Sequence, residues 1–377
     1  MSTLVHSVRL VDDGADIDVA WVLFDRGQVA ARGVGADYPS AREVIDGSGC
    51  ILAPGFIDVH GHGGGGASYD EGAEAIATGR AVHRAHGTTA AVISLVTTSI
   101  DDLVARVGIV ADLAEHDSSI LGSHLEGPFL DPGHKGAHTL ELLRAPDPAS
   151  IERLLLAGRG TIRQVTLAPE LAGSDAAIAQ FIAAGVAVAI GHTDADHATS
   201  QHAFDAGATV MTHAFNAMRG IHHRAPGPVV AALRDPRVTL EVIADGVHVD
   251  LDLIAVIFAA APGRVALVTD SMAATGVGDG RYDLGGLDVD VAAGVARLAS
   301  NGAIAGSTLT QDDALRRTVG AGVPIIEAIR ALTSTPARCI GRPDLGHLAA
   351  GARGDAVLLD GDLNVVRVWV AAQDVSR

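Results

Sequence analysis

Between residues 55 and 344 the chain alternates eight times between short apolar strands and amphipathic stretches, and this alternation restricts the fold more than any other feature. Candidate strands fall at 56–60, 90–96, 120–126, 164–168, 187–191, 210–212, 240–244 and 265–270, with helix-like stretches at 70–86, 101–116, 150–157, 175–184, 196–206 and 250–260. Several of these open on Asp or Ser and stop before Gly. A side-chain acceptor is needed at the first turn, and a left-handed residue ends the last one. Eight βα units across about 290 residues predict an α/β protein, a (β/α)8 TIM-type barrel. A doubly wound open sheet is the alternative, but no GxGxxG follows its first strand.

The two ends of the chain have a different texture. Stretches 4–11, 19–24, 28–32 and 43–45 are β-rich and separated by turn signals, and 356–359 and 365–370 flank an Asp-Gly-Asp turn. A small β-sandwich domain built from residues 1–54 and 345–377, enclosing a barrel over 55–344, is the expected organisation.

Chemistry concentrates at the ends of the predicted strands. His60 and His62 close the first, Glu126 the third, His192 the fifth, His213 the sixth and Asp270 the eighth. The C-terminal ends of barrel strands converge on one face, so these groups are expected to meet there. Imidazole and carboxylate together suit divalent ions such as Zn²⁺ or Fe²⁺. A single histidine at a strand end is more often a satisfied polar residue; the joint pattern is what points to metal. His124, two residues before Glu126, reads as a partner of a ligand, and Asp58 as a residue that orients a ligand or caps the barrel. Gly63 to Gly66 read as a flexible rim loop, His83 and His86 as solvated on an outer helix, and Trp21 and Trp369 as core of the terminal sheet.

Composition sets the outer limits. With 27 Lys and Arg against 45 Asp and Glu, the net charge is −18, which disfavours nucleic acid; a bound phosphate must be gripped locally. Cys50 and Cys339 are too few for a disulfide framework or a CxxC metal site. Apolar runs such as 254–261 are too short to span a membrane, and no basic-then-apolar leader opens the chain, so a cytoplasmic location is expected.

On these residues the chain resembles the amidohydrolase superfamily and, more narrowly, its N-acetylglucosamine-6-phosphate deacetylases. The resemblance runs through Pro54-Gly-Phe-Ile-Asp-Val-His-Gly-His, His124-Leu-Glu-Gly-Pro-Phe, Gly191-His-Thr, Ala244-Asp-Gly-Val-His-Val and Val268-Thr-Asp-Ser-Met. It is narrowed by Lys135-Gly-Ala-His, Thr212-His-Ala-Phe-Asn-Ala-Met and His222-His-Arg-Ala-Pro-Gly. Many two-metal amidohydrolases bridge their ions with a carboxylated lysine on the fourth strand. Lys135, the only lysine here, is not on that strand, so Glu126 is the candidate bridge.

The resemblance implies one or two divalent ions per subunit. Glu126, His192 and His213 would hold the first, and His60, His62 and Asp270 the second. Asp270 would also transfer protons, and His138 would stabilise the oxyanion. Ala137, His138, Asn216, Ala217, Arg224, Asp245, His248, Ala305 and Gly306 would contact a phosphorylated amino sugar. A homodimer is expected, with some contacts crossing its interface. The implied reaction is hydrolysis of the acetamide of N-acetyl-D-glucosamine 6-phosphate. The N-acetylgalactosamine epimer, an N-acyl-D-amino acid substrate and a catalytically dead scaffold barrel are the alternatives.

Overall fold

Eight parallel strands succeed one another in chain order: β1 (Phe56–Asp58), β2 (Thr88–Val96), β3 (Ile120–Glu126), β4 (Ile162–Leu167), β5 (Ala187–Ile190), β6 (Val210–Met211), β7 (Thr239–Val242) and β8 (Val265–Leu267). The computed structural model describes residues 2–376. β2 and β3 are buried along their whole length, as expected of parallel strands covered on both faces. No strand ladder joins β8 to β1. There the barrel closes through loop bonds: Asp270 N donates to His60 O (2.8 Å), His62 N to Ser271 O (2.8 Å) and Thr269 Oγ1 to Asp58 Oδ2 (2.6 Å). Asp58 therefore fastens the seam.

A helix follows each strand: Ala73–Ala85, Ile100–His116, Pro148–Gly158, Ser174–Ala183, His197–Asp205, Gly227–Arg234, Leu251–Ala260 and Gln311–Gly320. Ser99, Asp147, Asp196 and Asp250 cap four of them with side-chain acceptors. Two of these eight helices lie outside the six predicted stretches, as do the two further helices Ile325–Leu332 and Ser334–Cys339. Gly227–Arg234 is hidden behind a Pro-Gly-Pro start that reads as a breaker, although proline is suited to a first helical turn. Gln311–Gly320 is displaced from β8 by an antiparallel three-stranded insert, Gly280–Leu284, Leu287–Ala292 and Val295–Leu298, which the sequence reading did not anticipate. The insert has its own small core around Met272, Leu284, Val289, Val291 and Leu298.

Both chain ends enter one eight-stranded mixed sheet. Its joint is the antiparallel pairing of Ile51–Pro54 with Ala356–Leu359. This sheet surrounds an apolar cluster in which Trp369 stacks on Phe24, ring centroids 5.7 Å apart, and Trp21 is also buried. The larger cluster lies between barrel and helices, with Phe181 and Phe204 fully buried. Each such side chain contributes about 1.5–3 kcal/mol through removal from water.

Two expectations about surface residues are corrected. His83 is buried, not solvated: its Nε2 lies 2.9 Å from Gly63 O and 3.0 Å from Ser271 Oγ, while His86 is half-buried against Asp312. The glycine segment is no loose loop. Gly63–Gly64 pairs with Ala67–Ser68, and a Cβ on Gly63 would stand 2.3 Å from Ala67 O, so glycine is required for that close approach. A helical histidine turned inward to a strand-end carbonyl cannot be recognised from periodicity alone.

Candidate active site

Glu126 is the last laddered residue of β3, but the other strand ladders stop short of the chemistry-bearing residues. His60, His192, His213 and Asp270 each lie two residues beyond the last laddered position of β1, β5, β6 and β8 or, for Asp270, three. His192 (φ 47°), His213 (φ 24°) and Asp270 (φ 47°) adopt left-handed backbone, unusual for non-glycine residues. The turn swings each side chain off the barrel wall and over its mouth. Such outliers cluster where function holds them.

Two ligand groups result, and they share Glu126. In the first, His60 Nε2 lies 3.2 Å from His62 Nε2, 3.3 Å from Glu126 Oε1 and 3.6 Å from Asp270 Oδ1. His62 Nε2 lies 2.9 Å from Glu126 Oε2 and 3.3 Å from Asp270 Oδ1. In the second, Glu126 Oε1 meets His192 Nε2 at 3.1 Å and His213 Nε2 at 3.2 Å, and the two ring nitrogens are 2.9 Å apart. Within each group the candidate donor atoms all lie within 4.8 Å of one another.

The donor chemistry fits divalent ions. His192 Nδ1 donates to His134 O (2.9 Å) and His60 Nδ1 to Glu241 Oε2 (3.0 Å), so both rings turn the lone pair of Nε2 toward the group. The location also favours positive charge. Burial works against a charged His62 ring, yet hydrogen bonds to Asp270 and Glu126 outweigh it and hold the ring up at about 9. The bridging role of a carboxylate is available to Glu126 alone, because β4 carries no lysine and Lys135 sits in a loop, donating to His138 O (3.0 Å).

Above these groups opens a cavity of about 380 Å³. Of the expected residues, His62, Glu126, His192, His213 and Asp270 form its floor, and Ala137, His138, Asn216, Ala217, His248 and Gly306 its sides. His60 stands behind His62, fully buried. Thr97 N points at His138 Nδ1 (3.4 Å) and Thr97 Oγ1 lies 2.8 Å from it. An N–H can only donate, so Nδ1 is assigned as the acceptor and Nε2 as the protonated nitrogen. Burial pushes this ring down to about 3, so it stays a neutral donor.

Three expected substrate contacts do not line the cavity. Ala305 is buried in the core of the insert. Asp245 stands one layer back and holds His248, its Oδ2 2.7 Å from Nδ1 and its Oδ1 accepting the His248 N–H at 2.8 Å. Arg224 lies on an exposed segment, its Nη1 2.8 Å from His223 Nε2. Among the described residues no Arg or Lys lines the cavity.

The structure also supplies wall residues that sequence reasoning missed. Val96, Leu284, Ala303 and Ile304 form an apolar side, and the last three come from the unanticipated insert or the turn after it. His134 and Gly136 line the opposite side beside His138; their closeness to the Lys135-Gly-Ala-His segment was the available signal.

Comparison with known proteins agrees with this geometry. The family model described as the amidohydrolase family matches residues 51–375. The chain is 37% identical over 359 residues to the N-acetylgalactosamine-6-phosphate deacetylase of Escherichia coli O157:H7, covering 94% of this chain and 95% of that one. It is 35% identical over 350 residues to the N-acetylglucosamine-6-phosphate deacetylase of Bos taurus, covering 88% and 85%. Among solved structures, a variant N-acetyl-D-glucosamine-6-phosphate deacetylase of Mycobacterium smegmatis, in complex with N-acetyl-D-glucosamine-6-phosphate, is 44% identical, with a TM-score of 0.96 and full coverage of both chains. The barrel, the shared-carboxylate pair of ligand groups and these full-length similarities lead to one assignment: the chain belongs to the amidohydrolase family, among its N-acetylglucosamine-6-phosphate deacetylases.

Proposed function

We propose that the protein hydrolyses the acetamide of N-acetyl-D-glucosamine 6-phosphate, releasing acetate and D-glucosamine 6-phosphate. The observation that carries this reading is the pair of ligand groups sharing Glu126 on the floor of a cavity that Asp270 and His138 also line. Glu126, His192 and His213 would hold one ion and His60, His62, Glu126 and Asp270 another, as Zn²⁺ or Fe²⁺. A divalent ion in such a site supplies Lewis acidity and water whose pKa is lowered toward 7.

The side chains perform the remaining steps. Asp270 takes the proton of the attacking water on its carboxylate and returns it to the sugar nitrogen as the C–N bond breaks, so that the amine departs neutral. His138 presents Nε2–H to the carbonyl oxygen as negative charge develops there. Asn216, Ala217, His248 and Gly306 line the part of the cavity where the sugar would be oriented. Val96, Leu284 and Ile304 offer an apolar surface and would keep water from it.

The phosphate needs a cation that the cavity walls of one chain do not contain. Arg224 has the bidentate fork suited to it and sits on an exposed segment. We therefore place Arg224 at the cavity of a second copy, in a homodimer. The division into a barrel (55–344) and a terminal sheet unit (1–54 and 345–377), and a cytoplasmic location, belong to the same reading; no helix of the described residues is long and apolar enough to cross a membrane.

The galacto epimer is the competing substrate, carried by the Escherichia coli relative. The gluco sugar is favoured by the Mycobacterium smegmatis complex, at 44% identity over the whole chain. Acetate release should be measured on both phosphorylated sugars and on unphosphorylated N-acetylglucosamine, with elemental analysis of the same preparation. Faster release from the gluco phosphate with bound divalent metal is expected. No release from either phosphate would overturn the assignment.

A further inference from the structure

We infer that Glu241 is a positioning residue for the His60, His62, Glu126, Asp270 group, an inference that rests on the metal-centre reading above. Glu241 lies in the middle of β7 between Leu240 and Val242, with 0% of its surface exposed. Burying a carboxylate costs several kcal/mol unless charge and hydrogen bonds compensate. Among the described residues no Arg or Lys is paired with it; its one ionisable partner is His60. Its oxygens are nonetheless occupied. Oε2 accepts from His60 Nδ1 (3.0 Å) and, at a long 3.4 Å, from His213 N, while Oε1 accepts from Gln164 Nε2 (2.6 Å) on β4.

The four ring ligands differ in what holds their far nitrogen. His192 Nδ1 has a neutral backbone oxygen, that of His134. His62 Nδ1 and His213 Nδ1 have no partner. Only His60 is backed by a carboxylate. That bond fixes the proton on Nδ1, aims the Nε2 lone pair at Glu126 and Asp270, and adds negative charge behind the ring, which makes it a stronger donor. Because Glu241 touches the second group only through one long backbone bond, loss of its charge should fall on one ion and spare the other. A purely structural tie between β4 and β7 would predict no such asymmetry.

The test is Zn²⁺ titration of chelator-stripped protein against a competing indicator, for wild type and Glu241→Gln, with thermal unfolding of the stripped forms. Wild type is expected to take up two equivalents per subunit. Glu241→Gln should weaken one of them about 10–100-fold, the usual cost of removing the partner of a ligating histidine, and leave the other within about threefold. In a His60→Ala background the same change should alter the remaining equivalent by less than about threefold, because its route of action is already gone. Two equivalents of wild-type affinity in Glu241→Gln, equal weakening of both, or a further loss in the His60→Ala background would each overturn the inference while leaving the metal-centre reading intact. Fewer than two equivalents in wild type would overturn the two-ion reading, and this inference with it. Should Glu241→Gln fail to fold, Gln164→Met decides: it frees Oε1 and leaves every ligand in place. A smaller loss at one equivalent supports the positioning role, and no loss or an even one overturns it.

Discussion

Replacing Asp270 by Asn removes a proton acceptor while preserving shape. The backbone there is pinned on both sides, Asp270 N donating to His60 O (2.8 Å) and Asp270 O accepting from Ser307 N (2.7 Å). Its φ of 47° lies in the left-handed region, where Asn is among the best tolerated non-glycine residues. The variant should therefore fold, whereas Ala would add strain at the same position. An amide cannot take up the proton of water at neutral pH or hand it to the departing amine. Positioned acid–base catalysis contributes about 10²–10⁴-fold, or about 2.7–5.5 kcal/mol at about 1.4 kcal/mol per decade. Asp270 Oδ1 is also within 3.3 Å of His62 Nε2, so part of the loss can come through the ion at that group, which is why metal content must be read alongside rate. We expect acetate release from the phosphorylated sugar to fall by about 10²–10⁴ in kcat, with KM changed by only about threefold, and the Glu126, His192, His213 equivalent to stay bound. An amide with a better leaving amine should narrow the deficit, since its departure depends less on protonation. Near-normal turnover with unchanged metal content would refute the assigned role.

Three further outcomes follow from the same geometry. Thr97→Val deletes the hydroxyl 2.8 Å from His138 Nδ1 and should lower kcat roughly tenfold, the worth of about one hydrogen bond, at little change in KM; an unaltered kcat would count against His138 as the oriented donor. Arg224→Ala should raise KM for the phosphorylated sugar about 10–100-fold and leave hydrolysis of the unphosphorylated sugar unaffected, and equal effects on both would remove the phosphate role. Burial opposes the charge of Asp312, but hydrogen bonds from His86 and Thr310 and the nearby His86 and Arg316 hold its carboxyl at about 2. The folded value is depressed, so the stability this gives, about 2 kcal/mol, is present above the ordinary carboxylate range and is lost as pH falls from about 4 toward 2. Chemical unfolding of Asp312→Asn should accordingly show a shallower acid limb than wild type; parallel limbs would contradict the linkage.

Much of the barrel could be read from local signals. Strands buried on both faces, such as Thr88–Val96 and Ile120–Glu126, carry mostly small or apolar residues, and the capping residues Ser99, Asp147 and Asp196 mark helix starts within a few positions. The insert was missed although Leu287–Ala292 alternates apolar and polar residues as a half-buried strand does, because its strands are only four to six residues long and are set among Gly- and Asp-rich turns. Gly227–Arg234 was masked by its own prolines.

The order of the barrel strands and the candidate ligands at five of their ends were determined by the sequence itself, since hydrophobic period, caps and a His, Glu or Asp at the end of an apolar run are properties of neighbouring residues. Tertiary structure decided what depends on distance across the barrel. It turned His83 inward onto Gly63, kept Arg224 away from the cavity of its own chain, and set the carboxylate of Glu241 behind His60, 181 residues away. Only closure of the barrel brings β7 and β1 near enough for the Glu241 carboxylate, placed between Leu240 and Val242, to meet the His60 ring.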